Sequence, residues 1–340
     1  MLAECLPCCY YPTEVVFLDD SQSYLQTLKL FFQQSRLPVS PKLFSNASEA
    51  LDYVNASDKM THRQSLFAHL LKHVDTFQTN NYALTVNIFD LHRVVYNPNR
   101  LSQISVIVAD YNLGNQSTGI DFCKAIVDKN IQKILLTGQS KHDFVIKAFN
   151  EGFIQRFVCK QEISDFDDVV QMLTKAQRAY FQQITKTIIE AVGNRPHFPL
   201  AVYYLQFQTF FENLLKNYDI VEYYLLDPVG SYLLLDKAGV SRILFVQNQD
   251  QHQANLLDLK DEIGQSIPQA MEAPLRRGEY IVCNPTYLDG VKRAVDVVHS
   301  IFPAVTISDD VDGTSFYCAL TNDNWLLDTQ KYKAPQLFKQ

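Results

Sequence analysis

The 340-residue chain has no apolar run of the roughly 18 to 20 residues that a membrane span needs. It also lacks an excess of positive charge. Thirty Lys and Arg stand against 37 Asp and Glu, a formal net charge of −7, which argues against a surface built for nucleic acid or an anionic membrane. MLAECLPCCYYP has no positive segment followed by an apolar one, so no secretory leader is expected and a cytoplasmic location is. The seven cysteines do not make a metal framework. Cys5, Cys8 and Cys9 cluster without a second spaced pair. Cys123, Cys159, Cys283 and Cys318 sit singly in apolar surroundings, the pattern of buried free thiols. Residues 193–340 hold 12 basic against 18 acidic side chains and no helix-turn-helix, GGDEF-like, HD-like or Walker-type motif. Direct DNA binding and an obvious enzymatic output are therefore not expected.

What is present is a chain of ordinary globular composition, 47% hydrophobic and 20% charged, long enough for about two domains. VVFL at 15–18, SVIVAD at 105–110, KILLTG at 133–138 and IQRFVCK at 154–160 read as strands, the first three buried on both faces. KLFS at 42–45 is a shorter one. Helical patterns lie between them at 22–35, 47–54 (opening at Asn46), 119–129 and 143–151. Alternating strands and helices predict an α/β fold, a doubly wound parallel sheet whose ligands sit beyond the carboxyl ends of the strands. Those ends carry Asp19 and Asp20, Asp110, Thr137 and Lys160. Three carboxylates are tolerable together only with a cation, and an all-oxygen set favours Mg²⁺.

This constellation resembles the receiver domain of two-component response regulators, over roughly residues 12–185, in the same order: acidic pair, acid after a buried strand, Thr-Gly, lysine. The overall layout is similar to that of a quorum-sensing member of the family. The resemblance implies a flavodoxin-like strand order and a signalling protein, not an enzyme in the usual sense. It makes Asp110 the phospho-acceptor, loaded by a sensor histidine kinase. It makes Asp19, Asp20, Asp110 and Asn112 the Mg²⁺ set, the last through its carbonyl. Lys160 would contact the phosphoryl group, Thr137 and Phe157 would switch, and Asn112 and Gln139 would tune the lifetime of the phosphoryl group. The chain departs from the family at Gly114, where a proline is usual, at Gly119, one residue late, and at Gln161, where a cis-proline usually follows the lysine. Two other readings stay open. One is a degenerate receiver acting as scaffold for a C-terminal domain that binds a small ligand or nucleotide. The other is an aspartate-based phosphatase, although such enzymes place an aspartate where Asn112 stands.

The expected division is a receiver at 12–164 with a helical insertion at about 55–103, a long connecting helix at 165–192, and an α+β output domain at 193–340. Leu66, Phe67, Leu70, Leu71, Val74 and Phe77 form a helical stripe in the insertion, and NIFDLHRVVY at 87–96 is a second candidate helix. His62, His69, His73 and His92 lack acidic or cysteine partners in register and read as ordinary histidines. From Phe166 to Val192 the apolar face runs unbroken, a signalling rod and seam for a homodimer. In the second half, YYLLD, SYLLLD and SRILFV, separated by glycine-containing turns, predict an antiparallel meander. YIVCNP and SFYCAL are further strands, with YLDGVKRAVDVVHSIF a helix between them.

Overall fold

The computed structural model describes residues 5–34, 41–63, 71–75, 82–86, 88–114, 117–138, 143–163, 165–192, 201–263, 269–283, 301–309, 313–321 and 331–332. The strands of the first half are β1 (Cys9–Tyr10), β2 (Glu14–Leu18), β3 (Lys42–Phe44), β4 (Leu71–Asp75), β5 (Tyr82–Val86), β6 (Ile104–Asp110), β7 (Gln132–Thr137) and β8 (Arg156–Cys159). Those of the second half are β9 (Ile220–Leu225), β10 (Tyr232–Asp236), β11 (Ser241–Asn248), β12 (Tyr280–Val282), β13 (Ile301–Pro303), β14 (Val305–Ser308) and β15 (Ser315–Thr321). The helices are α1 (Gln22–Gln34), α2 (Ala47–Arg63), α3 (Gly119–Ala125), α4 (Asp143–Asn150), α5 (Phe166–Val192), α6 (Leu205–Asn217), α7 (Gln249–Ile263) and α8 (Gln269–Arg276).

Two compact units emerge, and they interleave. One takes Met1–Tyr10, His69–Tyr96 and Ile188–Ala334; the other takes Tyr11–Ala68, Asn97–Thr187 and Pro335–Gln340. This differs from a division into consecutive stretches. The first ten residues and much of the insertion belong with the second half of the chain, and α5 as far as Thr187 belongs with the first.

The second of these units is built on a five-stranded parallel sheet in the order β3-β2-β6-β7-β8, the flavodoxin-like order expected. Successive strand residues face opposite sides, so a wholly apolar strand serves two cores. Val16, Leu18, Ile107, Ala109 and Leu135 pack with Ala50 and Val54 of α2, Ile120 of α3 and Val145 and Ala148 of α4. Val15, Phe17, Val106, Val108 and Leu136 pack with Leu25, Leu28 and Phe32 of α1 and Val169, Met172, Leu173 and Ala176 of α5. Each such buried side chain contributes about 1.5–3 kcal/mol relative to exposure. Helix starts follow local chemistry. Ser21 Oγ accepts the Tyr24 amide (3.3 Å), and Asn46 Oδ1 accepts the amides of Ser48 (2.8 Å) and Glu49 (3.2 Å).

At the opposite end of the sheet from the acidic rim, α5 is tied down by polar groups. Gln177 Nε2 donates to the Thr13 carbonyl and hydroxyl, both at 3.1 Å. Thr13 Oγ1 pairs with Ser105 Oγ at 2.6 Å, and Tyr11 donates to Gln103 Oε1 at 2.7 Å while Gln103 Nε2 donates to Tyr180. The α5 face expected to form a dimer seam is thus occupied within its own unit. Val169, Leu173, Ala176, Tyr180 and Phe181 are all buried.

The other unit holds a six-stranded antiparallel sheet, β1-β9-β10-β11-β15-β14, with the expected meander at β9 to β11. Helix α6 supplies its aromatic core. Phe211 lies 4.6 Å from Tyr232 and 5.2 Å from Tyr223, centroid to centroid. Strand β12 pairs with β13 and not with the main sheet. Ile301 and Phe302, expected at the end of a helix, are in β13; the rest of that helix lies outside the described residues. The insertion is also not wholly helical. Leu71 and Val74 of its stripe lie in strand β4, paired antiparallel with β5 from Leu71↔Val86 to Asp75↔Tyr82, and Leu66, Phe67, Leu70 and Phe77 lie outside the described residues. Helical spacing is blind to a partner ten residues on, and cross-strand pairing decides the outcome. Ile88–Tyr96 forms a 3₁₀ helix with Leu91, His92, Val94 and Val95 buried. None of the seven cysteines forms a disulfide; burial pushes the Cys123 thiol up to about 12 and holds Cys283 and Cys318 well above their ordinary value.

Candidate functional site

Parallel pairing in this order puts the carboxyl ends of β2, β6, β7 and β8 on one rim. Asp19 and Asp20 follow β2, Asp110 closes β6, Thr137 closes β7, and Lys160 follows β8 in a single 3₁₀ turn, Lys160–Glu162. Asp19, Asp110 and Thr137 are buried, and Asp20 is exposed. The Lys160 ammonium bridges two acids, 2.7 Å from Asp19 Oδ2 and 3.0 Å from Asp110 Oδ1. The other Asp19 oxygen accepts the Ser21 amide at 2.9 Å, which couples the acid to the start of α1.

Carboxylate oxygens of Asp19, Asp20 and Asp110 lie within 4.8 Å of one another. Three acids with one ammonium leave an uncompensated negative site, and the donors are all oxygen. That chemistry fits a small divalent cation such as Mg²⁺. The electrostatics agree. Burial, reinforced by Asp19 and Asp20 and opposed by Lys160, holds the Asp110 carboxyl above its ordinary value. Burial lowers the Lys160 ammonium, but its hydrogen bonds to Asp19 and Asp110 outweigh this and hold it above its ordinary value.

The loop after Asp110 explains two departures from the family pattern. A Cβ on Gly119 would sit 2.2 Å from the Asp110 carbonyl oxygen and 2.9 Å from Leu135 Cδ1. The glycine is required where it stands, one residue late or not. Gly114 has φ of +66°, which L side chains rarely adopt, and a Cβ there would lie 3.3 Å from Asp20 Oδ2. The loop is closed by Ser117 N donating to Gly114 O (3.0 Å) and Gly119 N donating to Tyr111 O (2.9 Å). Asn112 is exposed and bridges to Thr118. Phe157 lies on β8 with its ring exposed, 6.2 Å from Phe149. Gln139 lies outside the described residues. Among the described residues no peptide bond is cis, including that after Lys160.

Sequence reasoning missed Tyr24. It stands in the first turn of α1, and the Lys160 ammonium lies 4.8 Å from its ring centroid. Burial, with Asp19 and Asp110 adding and Lys160 opposing, raises its hydroxyl above the ordinary value, so the ring stays neutral. The signal was available: an aromatic one helical turn after the acidic pair.

A five-stranded parallel sheet of this order, with two acids, an acid, a threonine and a lysine along its rim, is a receiver fold. No family model matches the chain, and no curated protein matches it by sequence. Among solved structures, it is similar to the Legionella pneumophila response regulator LqsR at 28% identity, TM-score 0.75, over 99% of this chain and 96% of that one. The likeness to this response regulator runs the whole length of the chain. Over about half of it, a receiver domain of an HD domain-containing protein from Pseudomonas fluorescens (18% identity, 51% of this chain, 93% of that one) gives a TM-score of 0.32. The Vibrio cholerae chemotaxis protein CheY4 (14%, 48% and 98%) gives 0.31. The assignment rests on LqsR alone. No described helix is long and apolar enough to cross a membrane.

Proposed function

We propose that Asp110 is a phospho-acceptor, loaded by a sensor histidine kinase, and that its phosphorylation switches an output carried by the antiparallel unit. The observation that supports this most is the Lys160 bridge to Asp19 and Asp110 beside a third carboxylate. Asp19, Asp20, Asp110 and the Asn112 carbonyl would hold Mg²⁺. That ion, when bound, supplies charge neutralisation to the phosphoryl group. The protein's own contributions are these. Asp110 attacks phosphorus, and the bond to the donor's leaving group breaks as the acyl phosphate forms. Lys160 then pairs with the new phosphoryl oxygens. Thr137 offers its hydroxyl to the same group, and Phe157, exposed in this structure, follows into the space vacated. Asn112 and Gln139 tune how long the phosphoryl group survives.

The surface beside Phe157 is the reading's route to a second copy of the chain. Phe144, Ile146 and Phe149 of α4 are exposed along with Phe157, and the Phe149 ring lies 6.2 Å from that of Phe157. The acidic net charge speaks against DNA as the direct partner of the output. The test is incubation with acetyl phosphate and Mg²⁺, read by intact mass and sizing chromatography, with Asp110→Asn as control. One added phosphoryl group, absent in the variant, is expected, with elution shifting toward the dimer and the shift abolished by Phe144→Ser with Phe149→Ser. No adduct with acetyl phosphate or kinase would end the reading. The phosphatase alternative is weakened by Asn112, whose amide cannot serve as the acid such enzymes place there.

A further inference from the structure

We propose that Tyr24 is a positioning residue for phosphoryl transfer: its ring face keeps the Lys160 ammonium beside Asp110 when the carboxylates turn to a divalent cation. The inference rests on the phospho-acceptor reading above and deepens it.

Lys160 has three partners in the structure: Asp19 at 2.7 Å, Asp110 at 3.0 Å and the Tyr24 ring at 4.8 Å. Two of the three are the acids a divalent cation would take. An ammonium and a dication repel one another and compete for the same oxygens, so loading the rim strips Lys160 of its anionic contacts. The ring is uncharged and is not an oxygen donor of the set, and it remains. Its position is geared to the rim by a short relay. Asp19 Oδ1 accepts the Ser21 amide at 2.9 Å, and Ser21 Oγ accepts the Tyr24 amide at 3.3 Å. The next residue, Leu25, and Leu28 anchor the helix in the core. A purely packing role at a half-buried site would be met as well by leucine. Only an aromatic face attracts a cation, by an amount equivalent to about five- to tenfold in a rate or equilibrium at a partly desolvated site.

The full chain is used, with acetyl phosphate as donor. Adduct formation is followed by intact mass over a range of donor concentrations, and Mg²⁺ binding is measured by calorimetry without donor. Tyr24→Leu should label about five- to tenfold more slowly at saturating donor, and Tyr24→Phe within about twofold of the parent. Mg²⁺ affinity should stay within about twofold in both, because the ring holds the ammonium and not the metal. If the leucine chain does not fold, Tyr24→Met carries the same comparison. Parent-like labelling of Tyr24→Leu would overturn the inference. So would a phenylalanine variant as slow as leucine, which would assign the role to the hydroxyl. So would Mg²⁺ affinity falling in step with the rate, which would make Tyr24 a structural support of the rim. No adduct in the parent, with acetyl phosphate or with kinase, would instead sink the phospho-acceptor reading itself.

Discussion

Replacing Lys160 by Met keeps most of the side-chain volume and removes the charge. The lysine side chain is 29% exposed, so an effective dielectric between the interior and bulk values applies. At about 40, contacts of 2.7 and 3.0 Å are each worth about 3 kcal/mol of Coulomb attraction. Desolvation of the ammonium and its lost side-chain freedom return well over half of that, leaving a net loss of about 2 kcal/mol when no metal is present. The sign then reverses for metal. The ammonium competes for Asp19 and Asp110, so its removal should tighten Mg²⁺ binding by about tenfold, near 1.4 kcal/mol. Added Mg²⁺ should therefore close most of the stability gap. Hydrogen exchange of the β6 amides, read by mass spectrometry with and without Mg²⁺, isolates this unit from the rest of a chain that need not unfold in one step. Faster exchange without metal, recovering with metal, and slower phosphorylation at Asp110 are the expected outcome. A gap that Mg²⁺ leaves unchanged, or weaker Mg²⁺ binding in the variant, would refute the claim that lysine and metal share the same two acids.

Three further outcomes follow from the same geometry. Gly119→Ala forces a Cβ against the Asp110 carbonyl and should cost about 3 kcal/mol along with most of the labelling at Asp110, measured by exchange and intact mass; parent-like labelling would contradict the 2.2 Å approach. Without divalent cations, the raised Asp110 carboxyl makes the folded state bind its proton more readily than the unfolded state does. Stability should therefore fall as pH climbs from the ordinary carboxylate value through the raised one, and Asp110→Asn should remove that fall; an unchanged slope in the variant would show that another group sets it. Gln177→Leu removes the donor to the Thr13 carbonyl, leaves the Thr13 hydroxyl only Ser105, and should cost about 1–3 kcal/mol, loosening α5 near Tyr180 before its first turns, whereas uniform exchange along α5 would deny the clamp.

How much of this was legible depends on how local each signal is. VVFL, SVIVAD and KILL announce buried parallel strands because both their faces are apolar, and the ends of those strands give the acids and Lys160 directly. YYLLD, SYLLLD and SRILFV announce the meander because their turns carry glycine. The helix from Phe166 to Val192 was legible in its bounds but not in its employment. An apolar stripe says that a face is covered, not by what, and the receiver sheet covers it as far as Phe181. The strand pairing at Leu71 and the docking of Cys9–Tyr10 against β9, where Cys9 faces Tyr224, depend on partners far along the chain. Tyr24 was missed because an aromatic in a first helical turn reads as core until the lysine from β8 is seen over it.

The chain passes between its two units at Tyr11, His69, Asn97, Ile188 and Pro335. A ribosome delivers β1 first, yet the edge it joins on β9 emerges more than two hundred residues later. The antiparallel sheet cannot be completed until β15 has been made. The receiver sheet, by contrast, can close once residues up to Thr187 are out. Cutting the gene at the midpoint would strand β1 and the β4–β5 hairpin on the wrong fragment. The antiparallel unit therefore cannot be exchanged as a single C-terminal stretch.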